Sequence, residues 1–218
     1  MKRAGEWLRR AFFAGGLLAV LAAGLAGAPL ELDLGGGLGY VRLRALPADG
    51  GLALAHTGPA LVVDLRYAAA DARAATEFFS GLRRRASTRT PVFILANHAT
   101  APELLRAISA GGRGTGLAVV GIAAPGFAPD VPVRATADEE QQAYAALDRG
   151  TGLAKLLADH PGKVRHDEAS LTRDRPPEPL PENAEPAATT AARTGPPVDA
   201  TMQRALHLHR SLQALRKL

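Results

Sequence analysis

Five side chains combine suggestive chemistry with suggestive placement: Asp64, Arg66, Asn97, His98 and Thr100. Asp64 and Arg66 follow the apolar run Leu61-Val62-Val63, and Asn97, His98 and Thr100 follow the run Val92-Phe93-Ile94-Leu95-Ala96. Both runs read as strands, and in a parallel α/β sheet ligands bind beyond the carboxyl ends of the strands. An Asp–His pair on such a rim can orient a general base. The same residues also have a plain structural use, with Asp64 and Arg66 as an ion pair and Asn97 or Thr100 capping the next helix. A catalytic triad needs an activated nucleophile as well. The serines (Ser80, Ser87, Ser109, Ser170 and Ser211) all lie away from strand-to-helix corners. Thr100 does sit at such a corner, but nothing obvious in the sequence activates it. The residue types therefore favour the structural use.

Other chemistries find less support. The chain has no cysteine, which excludes disulfides, thiol nucleophiles and thiolate metal sites. The histidines do not have the spacing of a zinc site: His207 and His209 are two apart on a predicted helix, His160 and His166 flank Pro161-Gly162, and His56 and His98 are isolated. We therefore expect no metal and no cofactor. The glycines at 35–37 precede a strand, whereas a dinucleotide loop follows one and opens a helix. Gly111–Gly116 lacks the Lys-Ser/Thr of a phosphate-binding loop and reads as a turn.

The elements that must position these residues alternate strand and helix. Residues 39–46 alternate apolar and polar and predict a half-buried strand. Residues 59–67, 91–97 and 116–124 are apolar runs of the kind that form strands covered on both faces. Between the second and third strands, residues 68–85 place Ala75, Phe78, Phe79 and Leu82 at helical spacing. A second crossover helix runs from Thr100 or Ala101 to Ala110, with Pro102 and Glu103 suited to its first turn. This order predicts an α/β fold with a parallel sheet and right-handed crossovers, spanning 29–135. Residues 136–172 form a helical extension, with Thr136 and Glu139 as a capping box and Gly150 and Gly152 as breakers. Residues 173–200 hold seven of the sixteen prolines and few large aliphatics, the composition of a disordered linker. Residues 201–218 regain helical periodicity, with Met202, Ala205, Leu208, Leu212, Leu215 and Leu218 in one stripe. A helix this short is marginal alone, so it must dock on its own domain, on a second copy or on a membrane.

The first 28 residues read as an address. Lys2, Arg3, Arg9 and Arg10 precede an uncharged apolar run over 11–28 that ends in small residues, the layout of an export signal. An uncleaved membrane anchor is the alternative, because that run sits at the lower limit for spanning a bilayer. The formal charge of +5 owes three units to this segment, where four bases face only Glu6. The remainder is close to neutral, so nucleic acid is not an expected partner.

Taken in order, these segments resemble the core of the C-terminal processing, or tail-specific, peptidases, whose fold is related to the ClpP and crotonase folds. The resemblance rests on Gly39-Tyr40-Val41-Arg42-Leu43, on Asp64-Leu65-Arg66 after an apolar strand, and on Asn97-His98-Ala99-Thr100-Ala101 leading into a helix. It continues with Val119-Val120-Gly121 closing a further strand and the segment 129–133 beyond it. It implies a ClpP/crotonase-like sheet with crossover helices. It also implies a serine on the corner after the third strand and a lysine about two dozen residues later, a Ser–Lys variant of triad logic. Here the serine position is deleted or taken by Pro102, and the lysine position falls on Phe127. Where that family has a Gly-Gly helping to form its oxyanion site, this chain has Ala-Ala.

The expected function is thus an exported, non-catalytic member of this group, a pseudoenzyme binding a peptide or protein partner in the periplasm or cell envelope. Its remnant groove would comprise Asp64, Arg66, Asn97, His98 and Thr100. The rival expectation is an active serine/threonine-type hydrolase built around His98, Asp64 and Thr100. A third is a membrane-tethered structural protein, held by its N-terminal segment and self-associating through 201–218.

Overall fold

The computed structural model describes residues 28–110, 114–157 and 197–215. Its centre is a six-stranded mixed sheet in which strand order follows chain order. The strands are β1 (Leu30–Asp33), β2 (Leu38–Arg42), β3 (Ala60–Asp64), β4 (Val92–Leu95), β5 (Leu117–Gly121) and β6 (Val131–Pro132). β2 through β6 run parallel, while β1 pairs antiparallel with β2 on the outer edge. The expected α/β class is therefore present, with an antiparallel strand that the residue pattern did not predict. β1 and β2 are joined by Gly35, Gly36 and Gly37, all at positive φ (82°, 62° and 78°). Residues with a Cβ avoid that region, so the glycine run makes a tight turn ahead of β2.

Side chains alternate across each strand, and both faces are covered. Val41, Leu61, Val63, Val92, Ile94 and Val119 face one way. Over them pack α1 (Gly50–Ala55), α2 (Ala72–Arg85) and α3 (Pro102–Ala110), chiefly through Ala53, Phe78, Phe79, Leu82 and Leu104. The buried face of α2 is the one its periodicity predicts. The helix nevertheless starts at Ala72 and not at 68, because the Asp71 side chain accepts a hydrogen bond from Ala74 N at 2.7 Å. Ahead of it, Tyr67 is at φ 63° and Ala69 bridges to Ala45, which takes those residues out of the helix.

The opposite face carries Leu38, Tyr40, Ala60, Val62, Phe93, Leu95 and Val120. It is covered by α4 (Ala137–Asp148), α5 (Leu153–Leu156) and α6 (Ala200–Ala214) through Ala146, Leu147, Leu156, Met202, Ala205 and Leu206. α4 opens with the expected capping box of Thr136 and Glu139, and Gly150 turns the chain at φ 81° after it ends. At the carboxyl end of β5, a Cβ on Gly121 would lie 2.0 Å from the carbonyl oxygen of Ala96, so only glycine allows the backbones to approach this closely.

Three expectations are corrected. β2 is buried throughout, Arg42 included, because α4 and α6 cover the polar side of a strand that reads as half-exposed. α6 buries Thr201, Met202, Ala205, Leu206 and His209; Leu208 and Leu212 lie at the margin and Leu215 is 67 % exposed. Its buried stripe is rotated because Asp199 and Thr201 must reach polar partners beneath the helix. Finally, residues 197–200 do not belong to the linker: Asp199 is buried and its side chain caps α6 by accepting from Met202 N. The remaining linker, 173–196, and the proposed signal, apart from Ala28, lie outside the described residues. Among those described, no helix is long and apolar enough to cross a membrane.

Candidate functional site

On the α4/α6 face, each central strand changes from apolar to polar toward its carboxyl end. β2 runs Leu38, Tyr40, Arg42; β3 runs Val62, Asp64 and on to Arg66; β4 runs Phe93, Leu95 and on to Asn97. Parallel register sets Arg42 beside Asp64 and Asp64 beside Leu95. The polar ends therefore meet in one layer, at the rim expected from the strand ends.

Arg66 is at its centre, fully buried. Its Nε and Nη2 donate to the two oxygens of Asp64 at 3.0 and 2.7 Å. Nη1 and Nη2 donate to the two oxygens of Asp199 at 3.0 and 2.8 Å. Nη1 also lies 3.5 Å from Glu140 Oε1. Every nitrogen of the guanidinium thus faces a carboxylate, a use of its planar fork that an ammonium could not reproduce. Asp64 further accepts from the Tyr40 hydroxyl at 2.6 Å, and Tyr40 in turn accepts from Arg42 Nε at 2.9 Å. Arg42 donates to Asp148 at 2.9 Å and to the Tyr144 carbonyl at 3.2 Å, and its guanidinium stacks 3.7 Å from the centre of the Tyr144 ring. Glu140 accepts from Asn97 Nδ2 at 2.8 Å and from the Thr201 hydroxyl at 2.9 Å. Arg44 joins Asp148 and the Tyr144 hydroxyl at the outer margin.

This arrangement sets the local acidities. Burial alone would raise the Asp64 carboxyl, but the Arg66 charge and hydrogen bonds, with help from Arg42 and Tyr40, hold it below the usual range. Burial works against the Arg66 charge too, yet Asp199 and Asp64 push its pKa well up. Burial, and then Asp64, raise Tyr40 well above an ordinary phenol. Burial, again followed by Asp64, lifts Tyr144 to about 12. Tyr67, whose ring meets that of Tyr144 edge-on at 4.7 Å, is raised by burial and then by Glu140.

The structure brings some of the singled-out residues together and leaves others apart. Asp64 and Arg66 form the buried ion pair, and Asn97 joins them through Glu140. The Thr100 hydroxyl donates to the Leu65 carbonyl at 3.3 Å and accepts from Asn97 N at 3.0 Å, so it braces the corner after β4. His98 is exposed, and among the described residues no hydrogen bond joins it to Asp64 or Thr100. Phe127, at the position where the resemblance implies a lysine, is buried with the α1/α2/α3 core. Four of the five residues are thus buried in a filled polar layer.

No protein-family model and no curated protein matches this chain.

Tyr40, Arg42, Glu140, Tyr144, Asp199 and Thr201 were not singled out from the sequence. Some signal was available. Glu140, Ala143, Tyr144 and Leu147 share a helix face, so an acid stands on a buried stripe. Period-two alternation likewise puts Tyr40 with Arg42, and Asp64 with Arg66, on one side of their strands. Nothing local indicated that Asp199 returns to Arg66.

A titration reads this layer directly. The chain has three tyrosines, and all three are raised. A phenol whose folded pKa exceeds its unfolded value stabilises the fold below the unfolded pKa, and that contribution is lost as pH rises through the folded one. Tyrosinate absorbance of the native protein is therefore expected to stay flat past roughly pH 10, the ordinary phenol value. It should then rise together with alkaline unfolding between there and about 12. In denaturant, one simple titration near the ordinary value is expected.

Proposed function

We propose that the protein is an exported, non-catalytic relative of the tail-specific peptidases, with a ClpP/crotonase-like core, that serves as a binding or scaffolding module for a peptide or protein in the cell envelope. The reading is supported by strands β2–β5 lying in chain order and parallel, with all three crossover helices on one face. It is supported further by the loss of the serine and lysine positions from the sequence.

The observation that carries it is the use of the carboxyl edge. The hydroxyl nearest the nucleophile position, that of Thr100, is engaged on both sides by backbone groups. The space over Asp64 and Arg66 is taken by Asp199. A nucleophile needs a free lone pair and a base in reach, and an acyl substrate needs room beside it. The Thr100 hydroxyl directs its proton to the Leu65 carbonyl and not to a base, Asp199 occupies the room beside Arg66, and the absence of an activated nucleophile removes nearly all of the rate a triad provides.

The test is exposure of the native protein to a serine/threonine hydrolase probe, together with casein degradation. No labelling and no cleavage above background are expected. Labelling that disappears in Thr100→Ala would overturn the reading in favour of an active hydrolase. Thr100→Ala itself is expected to lower stability by about 1–3 kcal/mol, because it leaves the buried Asn97 N–H without its hydroxyl partner, while the Leu65 carbonyl keeps the bond from Ala68 N. Chemical denaturation measures that cost.

A further inference from the structure

The segment 197–215 is joined to the body in an uncommon way. Asp199 N donates to the Leu156 carbonyl at 2.9 Å, so the chain leaves the described body at Leu157 and returns beside the point of departure. Side chains hold α6 in place. Met202, Ala205 and Leu206 are buried on the sheet. Thr201 reaches Glu140 at 2.9 Å, and His209 and Gln213 reach the Gly36 carbonyl at 3.0 and 2.7 Å. The Asp199 carboxylate lies in the fork of Arg66. In these respects α6 is seated as a bound helix would be.

The charges say what kind of ligand suits this seat. Without α6, the buried layer holds Arg42 and Arg66 against Asp64 and Glu140 and is already balanced. Asp199 adds a third carboxylate, and a bare anion would bring an uncompensated charge into a buried place. Asp199 brings its own compensation: its Oδ1 accepts from Met202 N at 2.9 Å, at the positive end of the α6 dipole. The seat thus suits a carboxylate that caps a helix. The residues that follow must supply a hydroxyl for Glu140 and apolar side chains for the sheet, as Thr201, Met202, Ala205 and Leu206 do.

We infer that the carboxyl-edge layer is a receptor for an aspartate-capped amphipathic helix, with α6 as its resident, displaceable ligand. A partner protein would engage the site by presenting a helix of the same pattern and expelling α6. The inference gives the proposed binding module its site and its regulation, and it rests on that reading for its biological use. Its test concerns exchange alone and so can fail while the hydrolase-probe result stands.

The experiment uses the full chain with a specific protease sequence inserted between residues 173 and 196. The protein is folded first and then cut. The two pieces are expected to co-elute on gel filtration and to separate in denaturant. A fluorescent synthetic peptide of residues 197–215 is expected to exchange into the cut protein, read by anisotropy, and to be competed by the unlabelled peptide. The Asp199→Asn peptide, which still caps a helix but carries no charge, is expected to compete roughly tenfold to hundredfold less well, as fits the loss of a charge-assisted bidentate pair. Acetate alone should not compete. Three outcomes would overturn the inference: separation or unfolding of the pieces on cutting, no exchange of the peptide, or equal competition by the Asp199→Asn peptide. Because the substitution lies in the peptide, a folding defect of the body cannot imitate it.

Discussion

A chain that stops at residue 196 is expected to lose its cooperative unfolding transition. Such a chain lacks Met202, Ala205 and Leu206, which pack on Leu38, Tyr40, Val62, Phe93, Leu95 and Val120. Burial of each large aliphatic side chain is worth roughly 1.5–3 kcal/mol, and the sheet residues beneath would be exposed as well. The truncation also removes Asp199 from Arg66 and Thr201 from Glu140, leaving buried charges with fewer partners. The ordinary net stability of a domain is about 5–15 kcal/mol, so losses of this kind together remove most of it. Far-UV circular dichroism against urea is the measurement: a broad, shallow curve in place of a sigmoid is expected. A sharp transition with an unchanged midpoint would show that α6 adds little to the fold.

Arg66→Met is expected to be the most damaging single substitution in the polar layer, costing about 3–5 kcal/mol, as is usual when one member of a buried ion cluster is removed. The larger part of that cost comes from Asp199, which loses its counter-charge, and from Asp64, which keeps only Arg42 at 3.5 Å. Asp64 and Asp199 both rely on this guanidinium and both are fully buried. Arg66→Lys is expected to recover only part of the loss, since one ammonium cannot serve two carboxylates in fork geometry. Neutralising the stranded acids gives the control. Arg66→Met combined with Asp64→Asn and Asp199→Asn should regain much of the stability, because asparagine caps a helix nearly as well as aspartate.

The acid limb of the stability curve carries the same information. The depressed pKa of Asp64 contributes stability that is present above the ordinary carboxylate value and lost as pH falls through the folded one. In the wild type that loss is expected below roughly pH 4. In Arg66→Met, burial acts on Asp64 without its main opponent, so its folded pKa moves up toward or past the unfolded value and the acid loss that Asp64 contributes should shrink or reverse. Urea midpoints measured from pH 3 to 7 test the shift. An unchanged acid limb would mean that Arg66 does not control the charge of Asp64.

Much of the architecture could be read from local text. The apolar runs at 59–67 and 91–97 became central strands because such runs are soluble only when covered on both faces. The spacing of Phe78, Phe79 and Leu82 marked the buried face of α2, and Thr136 with Glu139 marked the start of α4. β1 was missed because four residues beside a glycine turn carry little periodicity and find their place only by pairing with β2. The helical stripe of 201–218 came out rotated because hydrophobic spacing does not register the pull of a buried aspartate and threonine on helix orientation.

The site divides along the same line. The residues themselves determined that Asp64, Arg66, Asn97 and Thr100 stand at the ends of two strands, since strand ends follow from where an apolar run stops. The absence of a serine or a lysine at the corner is equally plain from residue identity alone. Tertiary structure alone decided what lies over those ends. Arg66 and Asp199 are far apart along the chain and meet at 2.8 Å only because α6 folds back onto the sheet beside Leu156. Strand periodicity and helix caps are short-range and leave a trace in neighbouring residues. A buried charge pair between distant segments leaves none, because either partner alone looks like any other exposed acid or base.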